Sequence, residues 1–127
     1  MSTTIPLPEG AVLISDPDHV TYHLVPREVW DSQKFEASYL PEGFAHEGFI
    51  HCTDTLAELV AVGNRYYRDD PRPFQVLAID CNLVTPPVVY EDSQQIFPHI
   101  YGRLDADAVL SVQAVVRDSD GTFLTMG

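Results

Sequence analysis

At 127 residues, with 45% hydrophobic and 20% charged side chains, the chain has the size and balance of one globular domain. A formal net charge of -12, with seven basic residues scattered along the chain, argues against the concentrated positive surface that polymeric nucleic acid or an acidic membrane requires. No apolar run is long enough to span a bilayer, the first residues lack a signal peptide's basic start, and two cysteines give no disulfide framework, so the expected setting is the cytoplasm.

Residues 1–18 carry Pro6, Pro8, Gly10 and Pro17 around a short apolar run at 11–14, and are expected to be an extension, with one edge strand, of a single compact domain over 19–127. Residues 20–25 are β-branched and aromatic and predict a strand ended by Pro26. Pro26 suits the start of a helix over 27–34. The stretch 39–47 reads as loop, and 49–52 as a short strand. A helix is predicted from Thr53 or Asp54, either of which can cap it, to about Tyr67. Leu56, Leu59, Val60, Gly63, Tyr66 and Tyr67 recur on one face at helical spacing, and Asp69, Asp70, Pro71 and Pro73 stop it. The run 74–79 predicts a central strand, 88–91 a short one, 104–108 a turn, 109–116 a long closing strand, and 122–124 a further short one. Two helices and five to seven short strands without regular alternation indicate an α+β fold with small mixed or antiparallel sheets.

The chemistry concentrates in Glu47–Cys52 (Glu-Gly-Phe-Ile-His-Cys) and Phe97–Gly102 (Phe-Pro-His-Ile-Tyr-Gly). His23, His51 and His99 each sit in strand-like or turn settings among aromatics, where partial burial makes an imidazole tunable around neutrality. Taken singly, each is more readily a hydrogen-bonded core histidine than a functional one; the three together favour function. His46 and His19 are expected to be solvated. Glu91 ends a strand on the side of Val89, where a carboxylate can orient a hydroxyl or stabilise developing positive charge. Strand alternation turns Cys52 away from His51. Phe49 and Tyr101 belong to a set of aromatics able to stack a flat ring, whereas Trp30 and Tyr67 are expected in the core. No zinc-type spacing, no nucleophile elbow and no phosphate-binding glycine loop occurs, so no metal is expected and any nucleotide binds by a mode other than the dinucleotide fold.

Tyr22-His23, Trp30, the Glu47–Cys52 and Phe97–Gly102 strings, Arg65-Tyr-Tyr67 and Val89-Tyr-Glu91 together resemble a bacterial family called domain of unknown function 952, over about residues 20–116. Thr53 stands where that family usually has serine. The family is similar to a minimal ADP-ribosyltransferase fold, in which NAD lies splayed across a cleft between two small sheets. The resemblance implies that His23 holds the nicotinamide-side ribose, that His51 contacts NAD, and that Glu91 stabilises an oxocarbenium-like transition state. His99 and Tyr101 are peculiar to the family's pattern.

Three functions follow as expectations. The first is an enzyme that uses NAD or ADP-ribose, with His23, His51 and Glu91 catalytic and Phe49, His99 and Tyr101 binding ligand along one cleft. The second is a non-catalytic module that binds a nucleotide or other small metabolite in the same cleft. The third is a metal-dependent enzyme that gathers His23, His51 and His99.

Overall fold

A computed structural model describes residues 12–13 and 19–126, and its architecture is α+β. The central unit is a three-stranded antiparallel sheet in which β5 (Phe74–Asp80) lies between β2 (Val20–Pro26) and β9 (Val109–Ala114). Its alternation defines two faces. Thr21, His23 and Val25, opposite Ile79, Leu77 and Gln75, look one way; Tyr22, Leu24 and Pro26, opposite Ala78, Val76 and Phe74, look the other. Both faces are covered, which is the physical reason 74–79 reads as a nearly continuous apolar run.

The first face packs on an antiparallel four-stranded sheet ordered β1 (Val12–Leu13), β6 (Val88–Tyr90), β7 (Pro98–Ile100), β4 (Ile50–His51). Ile50, Cys52, Val88 and Ile100 meet Val25, Leu77 and Ile79 there, with Trp30, Tyr39 and Leu104 closing the core. The second face packs on α3 (Leu56–Tyr66) and the hairpin of β10 (Val116–Arg117) and β11 (Phe123–Thr125), through Leu24, Leu59, Phe74, Val76, Phe123 and Met126. One bridge, Tyr22 to Thr53, joins the edges of the two larger sheets. No helix of the described residues is long and apolar enough to cross a membrane.

Several expected boundaries move, each for a local reason. The first helix, α1 (Arg27–Asp31), stops short of residue 34, because the Ser32 hydroxyl donates to the Val29 carbonyl and the Gln33 amide brackets both backbone groups of Leu40. Helix α3 is capped by Thr55, which accepts from Glu58 N, and not by Thr53 or Asp54. Both backbone groups of Thr53 are paired with Tyr22, and the Asp54 carboxylate faces His19 and Tyr90, so neither is free to cap. The 39–47 loop contains β3 (Ser38–Tyr39), paired with β8 (Leu104–Asp105), and the one-turn helix α2 (Phe44–Glu47). The long closing strand divides at Val115, where the chain leaves β5 and passes to β11. Of the expected extension, Val12 and Leu13 form β1 against β6; the rest of 1–18 lies outside the described residues.

Arg117 pins the hairpin. Its guanidinium donates to the carbonyls of Tyr67, Arg68, Arg72 and Gly121 and lies 4.3 Å over the Phe123 ring. Charged donors and a desolvated cation–π contact make Arg117→Ala cost about 2 kcal/mol. The loss is expected as a lower urea midpoint with unchanged slope. Arg117→Lys should recover little, since an ammonium cannot fork to four carbonyls; parental stability in that variant would mean that charge alone holds the hairpin.

Candidate functional site

The register Val89–His99–His51 across β6, β7 and β4 puts these three residues on the outer face of the four-stranded sheet, opposite its core side. Phe49, Glu91 and Tyr101 continue the same alternation, so five of the six expected site residues share one face. Phe49 stacks on His99 with centroids 4.0 Å apart and 12° between planes, and meets His51 edge-on at 4.8 Å. His99 Nδ1 lies 3.0 Å from Glu91 Oε1, and the Tyr101 hydroxyl donates to the same oxygen. The Tyr101 hydrogen bond, followed by His99, holds the Glu91 carboxyl below the usual glutamate range. Burial, then Glu91, pushes the Tyr101 hydroxyl up to about 12. Glu91 is therefore a fixed, ionised member of a cluster rather than a freely solvated strand end.

His51 stands at the edge of this face and has a second neighbour. Gly48 takes a left-handed conformation, φ 78°, that ends α2 and folds Glu47 back toward the strand. Its carboxylate meets His51 Nε2. With Nε2–H donating to Glu47, the tautomer leaves Nδ1 as the basic nitrogen. The side chains stay 55% and 42% exposed, so the pair is open to solvent and to a ligand.

His23 occupies a different environment. Its ring is 5% exposed and sits on the core face of β2. Nδ1 lies 2.7 Å from the His51 carbonyl oxygen, which can only accept, so Nδ1 carries the proton; Nε2 then accepts from the Tyr39 hydroxyl at 2.9 Å. Burial outweighs the carbonyl's help and lowers its pKa from 6.5 to about 4. His23 is thus a neutral, fully paired imidazole that buttresses the backbone of His51 from behind. Its nitrogens are occupied, so the three histidines expected to gather do not converge. Among the described residues no three metal-ligating side chains are grouped to hold an ion.

A cleft with two neighbouring lobes surrounds His51. The smaller, about 280 Å³, runs from His23 and Tyr39 to Glu42, Phe49 and Arg72. The larger, about 620 Å³, runs along α3 past Glu58, Arg65 and Tyr66 to Phe97. Glu47, His51, Thr53, Val62 and Tyr67 line both. Glu91, His99 and Tyr101 line neither lobe. The expected common wall is therefore split: His23, His51 and Phe49 border the cleft, and the Glu91 cluster lies beside it on the outer face. Arg72 borders the smaller lobe, but Asp70, Glu42 and Glu28 already surround its guanidinium.

Some participants were not legible beforehand. Glu47 read as a loop acid, although its place four residues before His51 was a usable signal. Tyr39 carried no signal, because its partner is distant in sequence. His19, expected in solvent, is 18% exposed and lies 2.9 Å from Asp54 and 3.1 Å from the Tyr90 hydroxyl, tying β6 to the start of α3. Cys52 is buried in the core, facing away from the His51 side chain.

A family described as protein of unknown function, DUF952, matches residues 24–112. The crystal structure of protein CC0527 from Caulobacter crescentus is similar to this chain, with a TM-score of 0.70 and 21% identity over 83% of this chain and 93% of that one. The solution structure of the same protein matches with a TM-score of 0.60 and 19% identity over 81% and 90%. Identity at this level establishes a shared fold. No curated protein matches the sequence.

Proposed function

We propose, from the premise that the chain belongs to the DUF952 family, that it is a small-molecule enzyme acting on a nucleotide of the NAD or ADP-ribose class, with His51 as general base. The observation that carries this reading is a carboxylate-paired, half-exposed histidine lining both lobes of a cleft of the size small-molecule sites have. Glu47 fixes the His51 tautomer and stabilises the imidazolium that proton capture creates. For NAD, a water oxygen attacks the anomeric carbon of the nicotinamide ribose, and the proton it sheds passes to His51 Nδ1. The carbon–nitrogen bond breaks, and its electron pair leaves with nicotinamide, neutralising that ring. An alcohol in place of water makes the same step ADP-ribosyl transfer. The carboxylate nearest the building positive charge is then Glu47 rather than Glu91.

A second reading, a module that binds such a ligand without turnover, is favoured by the position of Glu91, which lines neither lobe. One experiment separates the two: titration with NAD, ADP-ribose and nicotinamide, with mass spectrometry for released nicotinamide. The enzyme releases nicotinamide, and His51→Ala and Glu47→Gln each lower the rate about a hundredfold while binding changes little. Binding without release leaves the module. If none of the three binds, both nucleotide readings fall.

A further inference from the structure

Among the described residues, six of the seven basic side chains of this acidic chain have a polar partner. Arg27 and Lys34 face Asp31, Arg68 faces Asp120, and Arg72 is ringed by three carboxylates. Arg117 is taken up by backbone carbonyls, and Arg103 donates to the Ser38 hydroxyl. Arg65 differs. Among the described residues its guanidinium has no carboxylate or hydrogen-bond partner, only the Tyr66 ring at 5.6 Å, and it lines the larger lobe. Among the described residues it is the cation that lines this lobe, exposed and without an ion-pair partner.

The lobe has a charge gradient along it. Glu58, Ala61, Val62, Arg65 and Tyr66 fall at i, i+3, i+4, i+7 and i+8, one stripe of α3. Seven residues of helix separate Glu58 from Arg65 by about 10 Å. Glu47 and His51 line the same lobe, and Tyr66 and Phe97 supply aromatic surface. A simple anion would be repelled at one end and a simple cation at the other. We infer that this lobe binds a bipolar phosphorylated ring compound, its phosphate at Arg65 and its cationic or hydroxyl-bearing end toward Glu58. The inference rests on the proposal that the cleft takes a nucleotide-class ligand, and it fixes that ligand's direction.

Calorimetric titration of the parent and Arg65→Gln with nicotinamide mononucleotide, nicotinamide riboside and phenyl phosphate tests it. In the parent the phosphate should tighten binding at least tenfold over the riboside, an advantage that salt weakens. Arg65→Gln should erase that advantage and leave riboside affinity unchanged. A role for Arg65 confined to the helix C-terminus predicts instead a shifted melting temperature with the phosphate advantage intact. That result, or equal affinity of the two nicotinamide compounds for the parent, or no binding of any, overturns the inference. Release of nicotinamide without dependence on Arg65 sinks the direction and spares the enzymatic reading. Arg65-dependent capture of phenyl phosphate, with neither nicotinamide compound bound, supports the phosphate subsite and sinks the nucleotide reading.

Discussion

Between pH 7 and pH 4 the protein is expected to lose about 3 kcal/mol of folding stability through His23 alone. In the unfolded chain this imidazole takes a proton near 6.5, whereas in the folded core it does so only at about 4. The folded pKa is the lower one, so below 6.5 the unfolded state binds the extra proton and gains. Stability is therefore whole above 6.5, falls by up to one proton's slope as the pH drops, and levels off below about 4. The cause is geometric. A protonated His23 would keep its bond to the His51 carbonyl, but Nε2 would change from acceptor to donor, and the buried Tyr39 hydroxyl would lose the group it donates to. Carboxyls held low in the folded state, Asp70 beside Arg72 and Glu91 beside Tyr101 and His99, begin to lose their contribution only at the acid end of this window, as the pH enters the ordinary carboxylate range, and lose the rest below it. Urea unfolding at half-unit pH steps reads the effect. His23→Gln cannot titrate, and its curve should be nearly flat across the window where the parent's falls. Parallel curves would show that His23 is not held neutral in the core. The same protonation bears on function, since the ring that resists it supports the backbone of His51.

What sequence could tell about this molecule depended on range. Local pattern sufficed for the strands at 20–26 and 74–80, whose two buried faces leave a dense apolar signature, and for the amphipathic α3. Alternation also placed Phe49 with His51 and Glu91 with Val89 on one side of their strands, because a period of two survives any register; the strand β7 that carries His99 was not predicted. It could not place His23 relative to them. That residue faces inward because β2 packs on a second sheet, and no spacing within 20–25 encodes which side will be covered. The cap of α3 was missed for a related reason. Thr53 and Asp54 are good caps in isolation, and only the bridge to Tyr22 and the His19–Asp54–Tyr90 cluster remove them. The cleft itself is a product of such long-range pairings, and Arg65 acquired meaning only once every other cation had a partner.

Gly63 looked like one more member of the apolar face of α3, yet replacing it with alanine is expected to cost about 3 kcal/mol net. Elsewhere in a helix that exchange gains about 1 kcal/mol, because alanine gives up less backbone freedom. Here a Cβ would lie 2.7 Å from Phe123 Cγ and 2.8 Å from Cδ2, far inside contact distance. The ring has nowhere to retreat. It is 1% exposed, meets Phe74 edge-on at 5.6 Å, and carries the Arg117 guanidinium on its face. Its backbone is clamped as well, Phe123 N donating to Asn64 Oδ1 and Asn64 Nδ2 to Phe123 O. Relief must come from moving β11 off the helix, which opens the second core and loosens the Arg117 pin together. The glycine is thus fixed by helix–hairpin approach, since its own backbone is helical and any residue could adopt it. Thermal unfolding of Gly63→Ala, Phe123→Leu and the double variant gives the coupling directly. A smaller residue facing the new methyl should make the double variant more stable than the sum of the single losses. Strict additivity would mean that the two side chains do not meet, and that α3 and the hairpin pack less closely than the fold requires.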